Sequence, residues 1–206
     1  MSLKNFYGDE KSTRAYLVAA ALPGEEDSID RSLDELEDLA ASCGFEVVAR
    51  VTQNVKSISG SSYIGSGKLS EISEMAENAD VDHLIFNTEL SAAQFRNIAQ
   101  ATPAAVHDRT GVILEIFSDH ARTDEGKIQV ELARLRYRLT RLAGKGTELS
   151  RLGGGIGTRG PGETKLEQDR RAIQRRMVQL QKELDQLEQR RKHQRSSRQR
   201  KDALVA

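Results

Sequence analysis

The hydrophobic positions divide the chain into two parts with different periods. Between residues 15 and 117, short apolar runs alternate with amphipathic stretches whose apolar residues recur every three or four positions. An alternation of this kind predicts parallel strands whose connecting helices cover the sheet. Residues 1–121 are therefore predicted to form an α/β domain with a small, mostly parallel four-stranded sheet. The four predicted strands are residues 15–22, 45–51, 81–87 and 104–107.

The predicted helices of this domain are residues 28–41, 68–79, 91–102 and 109–119. Ser91 is followed three residues later by Gln94, a capping box that marks the start of the third helix. Apolar spacing predicts that the second helix buries Leu69, Ile72 and Met75. The fourth helix is predicted to have an apolar face of Val112, Ile113, Ile116 and Phe117.

From residue 122 the apolar spacing becomes a heptad repeat. One stripe consists of Ile128, Leu132, Leu135, Leu139 and Leu142, and a second of Leu166, Ile173, Met177, Leu180, Leu184 and Leu187. Spacings of four and three residues are typical of coiled coils. Residues 122–189 are therefore predicted to form a long antiparallel α-helical coiled-coil hairpin.

A glycine-rich segment separates the two stripes. Six of the ten residues from 153 to 162 are glycine, and a turn between two helices needs fewer residues than this. Residues 151–163 are predicted to be the tip of the hairpin. Thr164 and Glu167 form a second capping box, which predicts that the second helix begins at Thr164.

Charge is distributed unequally between the two halves, although the whole chain has a net charge of zero. Residues 1–126 contain 10 Lys and Arg against 22 Asp and Glu, whereas residues 127–206 contain 21 against 9. The basic half carries the glycine-rich tip and has no aromatic residue beyond residue 139. Arginine and backbone amide groups bind phosphates without base stacking, so this half is predicted to bind folded RNA.

The predicted RNA-binding residues lie in the tip and in the first turns of the second helix. They are Arg151, Gly153, Gly154, Gly155, Gly157, Arg159, Gly160, Gly162, Lys165, Arg170, Arg171 and Arg175.

Two glycine patterns suggest nucleotide binding as an alternative. Gly155-x-Gly157-x-x-Gly160 matches a dinucleotide fingerprint, but a helix rather than a strand precedes it, which disfavours that interpretation. Gly65, Gly67 and Lys68 resemble the end of a P-loop, although Ser61 and Leu69 replace the glycine and the magnesium-binding hydroxyl of that motif. A plain turn is the favoured interpretation there. A nucleotide-binding site with its own hydrolase activity is the alternative.

No catalytic or metal-binding set is predicted. His107, Asp108 and Arg109 lie at a strand end, where a helix cap or an ion pair is favoured over catalysis. The histidines at 83, 107, 120 and 193 have no metal-ligand spacing among themselves or with Cys43, which is predicted to be a partly buried thiol. No apolar run is long enough to cross a membrane, and a cytoplasmic protein that needs no membrane is expected.

The end of the chain is strongly basic. Seven of the twelve residues from 190 to 201 are Lys or Arg, and like charges at this density disfavour a freestanding helix. Residues 190–206 are therefore predicted to be a solvated arm or linker, with residues 203–206 starting a further strand.

Several long sequences in the chain resemble one protein family. Residues 153–171 (GGGIGTRGPGETKLEQDRR), residues 108–111 (DRTG) and residues 63–68 (YIGSGK) are similar to the HflX family of ribosome-associated GTPases. The resemblance implies an N-terminal α/β subdomain and a helical hairpin, followed by a G domain that binds GTP and Mg²⁺. It also implies binding to the large ribosomal subunit, separation of ribosomal subunits under stress, and a tip that reaches ribosomal RNA.

The sequence departs from the family after Lys201, where the GxxxxGK[ST], DxxG and NKxD motifs of the G domain are not found. The chain is therefore expected to be an N-terminal region without cofactor and without GTPase activity. Its expected partners are ribosomal RNA of the large subunit and its own G domain, and it is expected to be a monomer. A regulatory role toward the G domain is a further alternative.

Overall fold

The computed structural model describes residues 13–143 and 161–202. Its strands are β1 (Arg14–Ala21), β2 (Glu46–Asn54), β3 (His83–Phe86) and β4 (Ala105–Asp108). Its helices are α1 (Glu26–Ser42), α2 (Ser66–Asn78), α3 (Ala92–Ala101), α4 (Arg109–His120), α5 (Asp124–Ala143) and α6 (Pro161–Asp202).

The four strands form one sheet in the order β2-β1-β3-β4, and every pairing is parallel. This confirms the predicted α/β class. β1 is central, and its side chains from Tyr16 onward are buried. Leu17 packs on α1 and α4, whereas Val18 packs on α2 and α3, so the continuous apolar run of β1 supplies both faces of the core.

The predicted capping box at the start of α3 is confirmed. Ser91 accepts a hydrogen bond from the backbone of Gln94, and the Gln94 side chain accepts one from the backbone of Ser91. The Gln94 amide also donates to the carbonyl of Ser59 at 2.8 Å, so the cap holds the loop before α2.

Two predicted core positions are wrong. Met75 is 40% exposed and Phe117 is 57% exposed. On α2 the buried position is taken by Ala76, and on α4 the carboxylate of Glu115 is buried through an ion pair with Arg134 of α5. Apolar spacing could not reveal the second case because it treats every acidic residue as a surface residue.

The apolar stripes of α5 and α6 pack against each other. Their buried residues are Leu132, Leu135, Ile173, Leu180 and Leu184. The ion pairs of Glu131 with Arg176 and of Glu125 with Arg191 show that the two helices run antiparallel. Residues 144–160 lie outside the described part of the chain, so the coiled-coil hairpin with its tip stays a prediction.

The bounds of α6 differ from those predicted. The helix begins at Pro161, three residues before Thr164, and continues to Asp202 through the basic run that was predicted to be an arm. Proline suits the first position of a helix because its fixed φ is helical and its missing N–H is not needed there. Arg, Lys and Gln have high helix propensity, which favours continuation of the helix through residues 190–202. At 1.5 Å per residue, its 42 residues span about 63 Å.

None of the described helices is long and apolar enough to cross a membrane.

Two buried histidines connect β3 to β4. Nδ1 of His83 lies 3.0 Å from Nε2 of His107, and the ring of Phe45 meets both imidazoles edge-on at 5.1 and 5.2 Å between centroids. Burial, together with the neighbouring His83, lowers the pKa of His107 from 6.5 to about 3. The folded protein therefore keeps His107 neutral at pH values where the unfolded chain protonates it.

Replacing Leu180 by alanine should lower the free energy of unfolding of the α5–α6 pair by about 2–5 kcal/mol, because this buried side chain would leave a cavity. The matched control is Val178→Ala, two residues away and 57% exposed, which should change it by less than about 0.5 kcal/mol. Urea unfolding followed by circular dichroism measures both. Equal effects of the two substitutions would show that the helices do not pack as described.

Stability should fall as the pH is lowered from about 6.5 toward 5. In this window the unfolded chain binds a proton at His107 and the folded chain does not, so each pH unit removes up to about 1.4 kcal/mol. The variant His107→Gln should show a shallower dependence on pH than the parent. An unchanged slope in His107→Gln, measured by urea unfolding at each pH, would contradict the buried neutral state.

Candidate nucleic-acid interface

The predicted RNA-binding residues fall into three groups. Arg170, Arg171 and Arg175 are exposed on α6. Gly162 and Lys165 lie within the helix, because α6 begins at Pro161, so Gly162 is not part of the connecting segment as predicted. The remaining seven predicted residues, from 151 to 160, lie outside the described residues.

Among the described residues, Arg171 and Arg175 make weak contacts within α6. Nε of Arg171 lies 3.0 Å from the carboxylate of Glu167, and both side chains are largely exposed. Ion pairs of this type on a helix surface contribute about 0.3–0.5 kcal/mol. Nε of Arg175 donates to the carbonyl of Arg171 at 3.4 Å. A phosphate could replace either contact at little cost.

α6 as a whole is basic, with 13 Lys and Arg against 7 Asp and Glu between residues 161 and 202. The first turn of an α-helix also has N–H groups without partners inside the helix and the positive end of the helix dipole. The arginines and the helix N-terminus together favour an anionic partner at this end.

α5 connects this basic helix to the α/β domain. One face of α5 contributes the apolar residues packed on α6, and the opposite face carries Arg134, Tyr137 and Arg141. These three side chains contact α4 and the loops at the carboxyl ends of β3 and β4. The basic helix is therefore attached through α5 to the side of the domain, and α5 does not project freely from it.

The carboxylate of Asp108 is the centre of this attachment. It is fully buried and accepts hydrogen bonds from the backbone of Gly111 at 2.9 Å, the backbone of Leu90 at 3.0 Å and the hydroxyl of Tyr137 at 2.6 Å. A guanidinium nitrogen of Arg141 donates to the same carboxylate and completes an ion pair. Burial, and next the charge of Asp108, raise the pKa of Tyr137 well above its ordinary value, so the hydroxyl stays protonated as a donor.

The guanidinium of Arg141 also contacts two aromatic rings. It lies 4.7 Å from the ring centroid of Phe95 on α3 and 4.6 Å from that of Tyr137, distances at which a cation is attracted to the ring face. A second guanidinium nitrogen donates to the carbonyl of Leu90. Arg141 therefore links α5 to α3, to β4 and to the loop after β3.

Gly111 leaves room for this close approach. A Cβ atom at this position would lie 3.0 Å from the Tyr137 hydroxyl and 3.3 Å from Oδ1 of Asp108. The sequence Asp108-Arg109-Thr110-Gly111 thus combines the helix cap, the buried charge and the space for Tyr137. The sequence interpretation of Asp108 as a cap or ion pair is confirmed, but Tyr137 and Arg141 were missed. Their only sequence signal is their position on α5 opposite the heptad stripe.

A polar network lies at the carboxyl end of the sheet near β1 and β3, where the strand order reverses. Arg109 donates to Asn87 at 2.8 Å and pairs with Glu35 at 2.5 Å, and Ser32 joins Asn87 at 3.0 Å. In doubly wound sheets, the carboxyl ends of the strands at this point can bind a ligand. Here the side chains bind one another and tie α1 to α4.

The residues resembling a P-loop are engaged within the chain. The amide of Gly65 donates to the Gln53 side chain at 2.8 Å, and Lys68 pairs with Glu71 at 2.7 Å. These contacts use the amide and the ammonium group that an anion would need.

Cys43 is partly buried as predicted, and burial raises the pKa of its thiol to about 11. Among the residues that the structure describes, no group of three or more His, Cys, Asp or Glu side chains is placed to hold a metal ion.

Comparisons with known proteins give consistent matches. Residues 30–118 match the family described as "GTP-binding GTPase N-terminal", and residues 120–198 match "GTP-binding GTPase Middle Region". The chain is 49% identical over 185 residues to a GTPase HflX of Caldanaerobacter subterraneus subsp. tengcongensis, covering 90% of this chain and 42% of that protein. It is 43% identical over 185 residues to the GTPase HflX of Escherichia coli K12, covering 90% and 43%. The chain thus spans less than half the length of these curated relatives.

Among solved structures, the fold is similar to that in the crystal structure of SsGBP and GDP complex, with a TM-score of 0.63 and 24% identity over 89% of this chain and 46% of that one. A GTP-binding protein from Sulfolobus solfataricus in complex with GDP is similar with a TM-score of 0.56 and 24% identity, over 84% of this chain and 46% of that chain. At this level of identity the likeness shows the fold alone.

Replacing Asp108 by asparagine should lower the free energy of unfolding by about 3–5 kcal/mol, because the guanidinium of Arg141 would stay buried without its counter-charge. Arg50→Ala is the control, since the pairs of Arg50 with Asp34 and Glu37 are exposed to solvent and their loss should destabilise the protein far less. Urea unfolding measures both. A loss below 1 kcal/mol in Asp108→Asn would refute the central role of this carboxylate.

Proposed function

The chain belongs to the HflX family of GTP-binding proteins and spans their N-terminal and middle regions, and from this premise we propose that it binds ribosomal RNA of the large ribosomal subunit. The contacts are made by the glycine-rich segment before α6, residues 151–160, and by the arginines in the first turns of α6. The observation that carries the proposal is the exposure of Arg170, Arg171 and Arg175 on a basic helix that directly follows this segment.

The chemistry of these residues suits a folded RNA. Guanidinium groups bind phosphate oxygens through paired N–H donors, and glycine allows the backbone to come close to a ligand surface. The basic half has no aromatic residue beyond residue 139, so stacking on aromatic rings does not contribute. Recognition in this proposal is therefore by phosphate contacts and RNA shape.

The α/β domain has a positioning role in the proposal. Residues 1–126 carry 22 acidic against 10 basic residues, so this domain is repelled by RNA while the helical half is attracted. The buried contacts of Asp108 with Tyr137 and Arg141 fix the angle between the two halves. The protein would thus meet the ribosome with α6 and the glycine-rich segment first.

GTP hydrolysis, for which the relatives are named, belongs in this proposal to the part of their length that the present chain does not match. The chain contains no GxxxxGK[ST] sequence to hold the phosphates and Mg²⁺. A G domain, when joined to this region, would couple its nucleotide state to the RNA contacts and so to the separation of ribosomal subunits.

Co-sedimentation with purified large ribosomal subunits tests the proposal. Binding should weaken steeply between about 50 and 200 mM salt, because each phosphate contact releases condensed counterions. The double substitution Arg159→Ala with Arg171→Ala should weaken binding at least about tenfold, since a hydrogen bond to a charged group contributes about 1.5 kcal/mol or more.

The matched control is Arg31→Ala with Arg50→Ala, which removes the same charge from exposed positions of the α/β domain and should leave binding within about twofold of the parent. Binding that is insensitive to salt, or an equal loss in both double variants, would refute the proposed interface.

A further inference from the structure

The face of α6 that points away from α5 has an unusual composition. Seven residues three or four positions apart lie on it, about half a turn from the buried Ile173 and Leu180. All seven are exposed: Gln168, Arg171, Arg175, Val178, Lys182, Gln186 and Gln189. We call this set the outer stripe. It contains no acidic residue, and over 21 residues it is about 32 Å long.

The cations of α6 fall into two classes according to their partners. Arg176 and Arg191, on the flank facing α5, pair with Glu131 and Glu125 and so contribute to helix packing. On the outer stripe, Arg171 pairs with Glu167 of the same helix, and Arg175 and Lys182 have no carboxylate partner within the part of the chain that the structure describes. Of the acidic residues of the same stretch, Glu183 and Glu188 lie off the stripe, whereas Asp185 borders it and accepts a hydrogen bond from Gln181 at 3.1 Å. Positive charge on the outer stripe is therefore available to another molecule.

The composition of the outer stripe favours RNA over protein as that molecule. Protein interfaces are depleted of Lys and centred on aromatic or large apolar anchors, and the stripe offers only Val178 as an apolar contact. Arg, Lys and Gln side chains are donors for phosphate and 2′-hydroxyl oxygens. A straight row of such donors suits the regularly repeating backbone of an RNA double helix.

We propose that the outer stripe of α6 extends the interface proposed above, with which it shares Arg171 and Arg175, and that it lies along the sugar-phosphate backbone of a double-helical RNA segment. It is separate from the glycine-rich segment and extends at least to Gln189, about 40 Å along α6 from its first residue. The inference rests on the proposed function, since the RNA it would contact is that of the large subunit.

Two charge-matched double variants of the full chain test the outer stripe. Arg175→Gln with Lys182→Gln removes two cations from the stripe, and Arg176→Gln with Arg191→Gln removes two from the flank facing α5. The probe is an RNA duplex of about 16 base pairs, the length that a double-stranded RNA-binding domain spans. Affinity for large ribosomal subunits is measured in parallel.

The stripe variant should bind the duplex roughly tenfold more weakly and lower the slope of log K against log salt by about 2, one unit for each lost phosphate contact. The flank variant should stay within about twofold of the parent, and circular dichroism should show equal helix content in both. As a second pair, Gln186→Glu places a carboxylate on the stripe and should weaken duplex binding, whereas Gln181→Glu, off the stripe, should not.

Equal losses in the two double variants would show that only net charge matters and would overturn the proposal. Unchanged duplex binding in the stripe variant would also overturn it. If the stripe variant lost affinity for subunits while the parent failed to bind the duplex, the partner would be a ribosomal protein and the choice of RNA would be wrong. A parent that bound the duplex but not the subunits would refute the proposed function and leave the outer stripe supported.

Discussion

The carboxylate of Asp108 lies where β4, α4 and the loop after β3 meet α5, and its two oxygens accept four hydrogen bonds. A buried charge is tolerated only when its partners are complete. Any change in the position of α5 would separate Arg141 and Tyr137 from this carboxylate and leave an uncompensated charge on each side. This buried ion pair and its hydrogen bonds therefore help to set the direction of α5 relative to the sheet.

Both faces of α5 therefore make contacts within the protein. Its apolar face packs on α6 through residues such as Leu132 and Leu135, and its polar face is bound to the domain through Arg134 and Arg141. An amphipathic helix usually turns its polar side to water. Because both faces of α5 make contacts, α5 separates the basic helix α6 from the acidic domain. The outer stripe of α6 stays exposed.

The strands and helices of the α/β domain were largely predictable from the sequence. β1 is a continuous apolar run and the cap of α3 is a recognisable local motif, so both depend on neighbouring residues alone. The errors occur where the determining contact is distant in sequence. Met75 is exposed because α2 turns Ala76 inward, and Glu115 is buried because Arg134 on another helix pairs with it. Of the candidate interface, the exposed arginines of α6 were predictable from charge and heptad spacing, whereas the attachment through Tyr137 and Arg141 was not.

Local patterns in the chain were enough to predict the α/β class, the contact between the apolar stripes of α5 and α6, the separation of charge between the two halves and the family resemblance. Each of these features follows from the periodicity, the composition or the contiguous motifs of the sequence. Tertiary structure alone decided the strand order β2-β1-β3-β4, the burial of the His83 and His107 pair, and the role of Asp108 as the joint between the halves. Buried polar groups obtain their partners from residues far along the chain. Hydrophobic patterns describe only neighbouring positions, so they do not predict those partners.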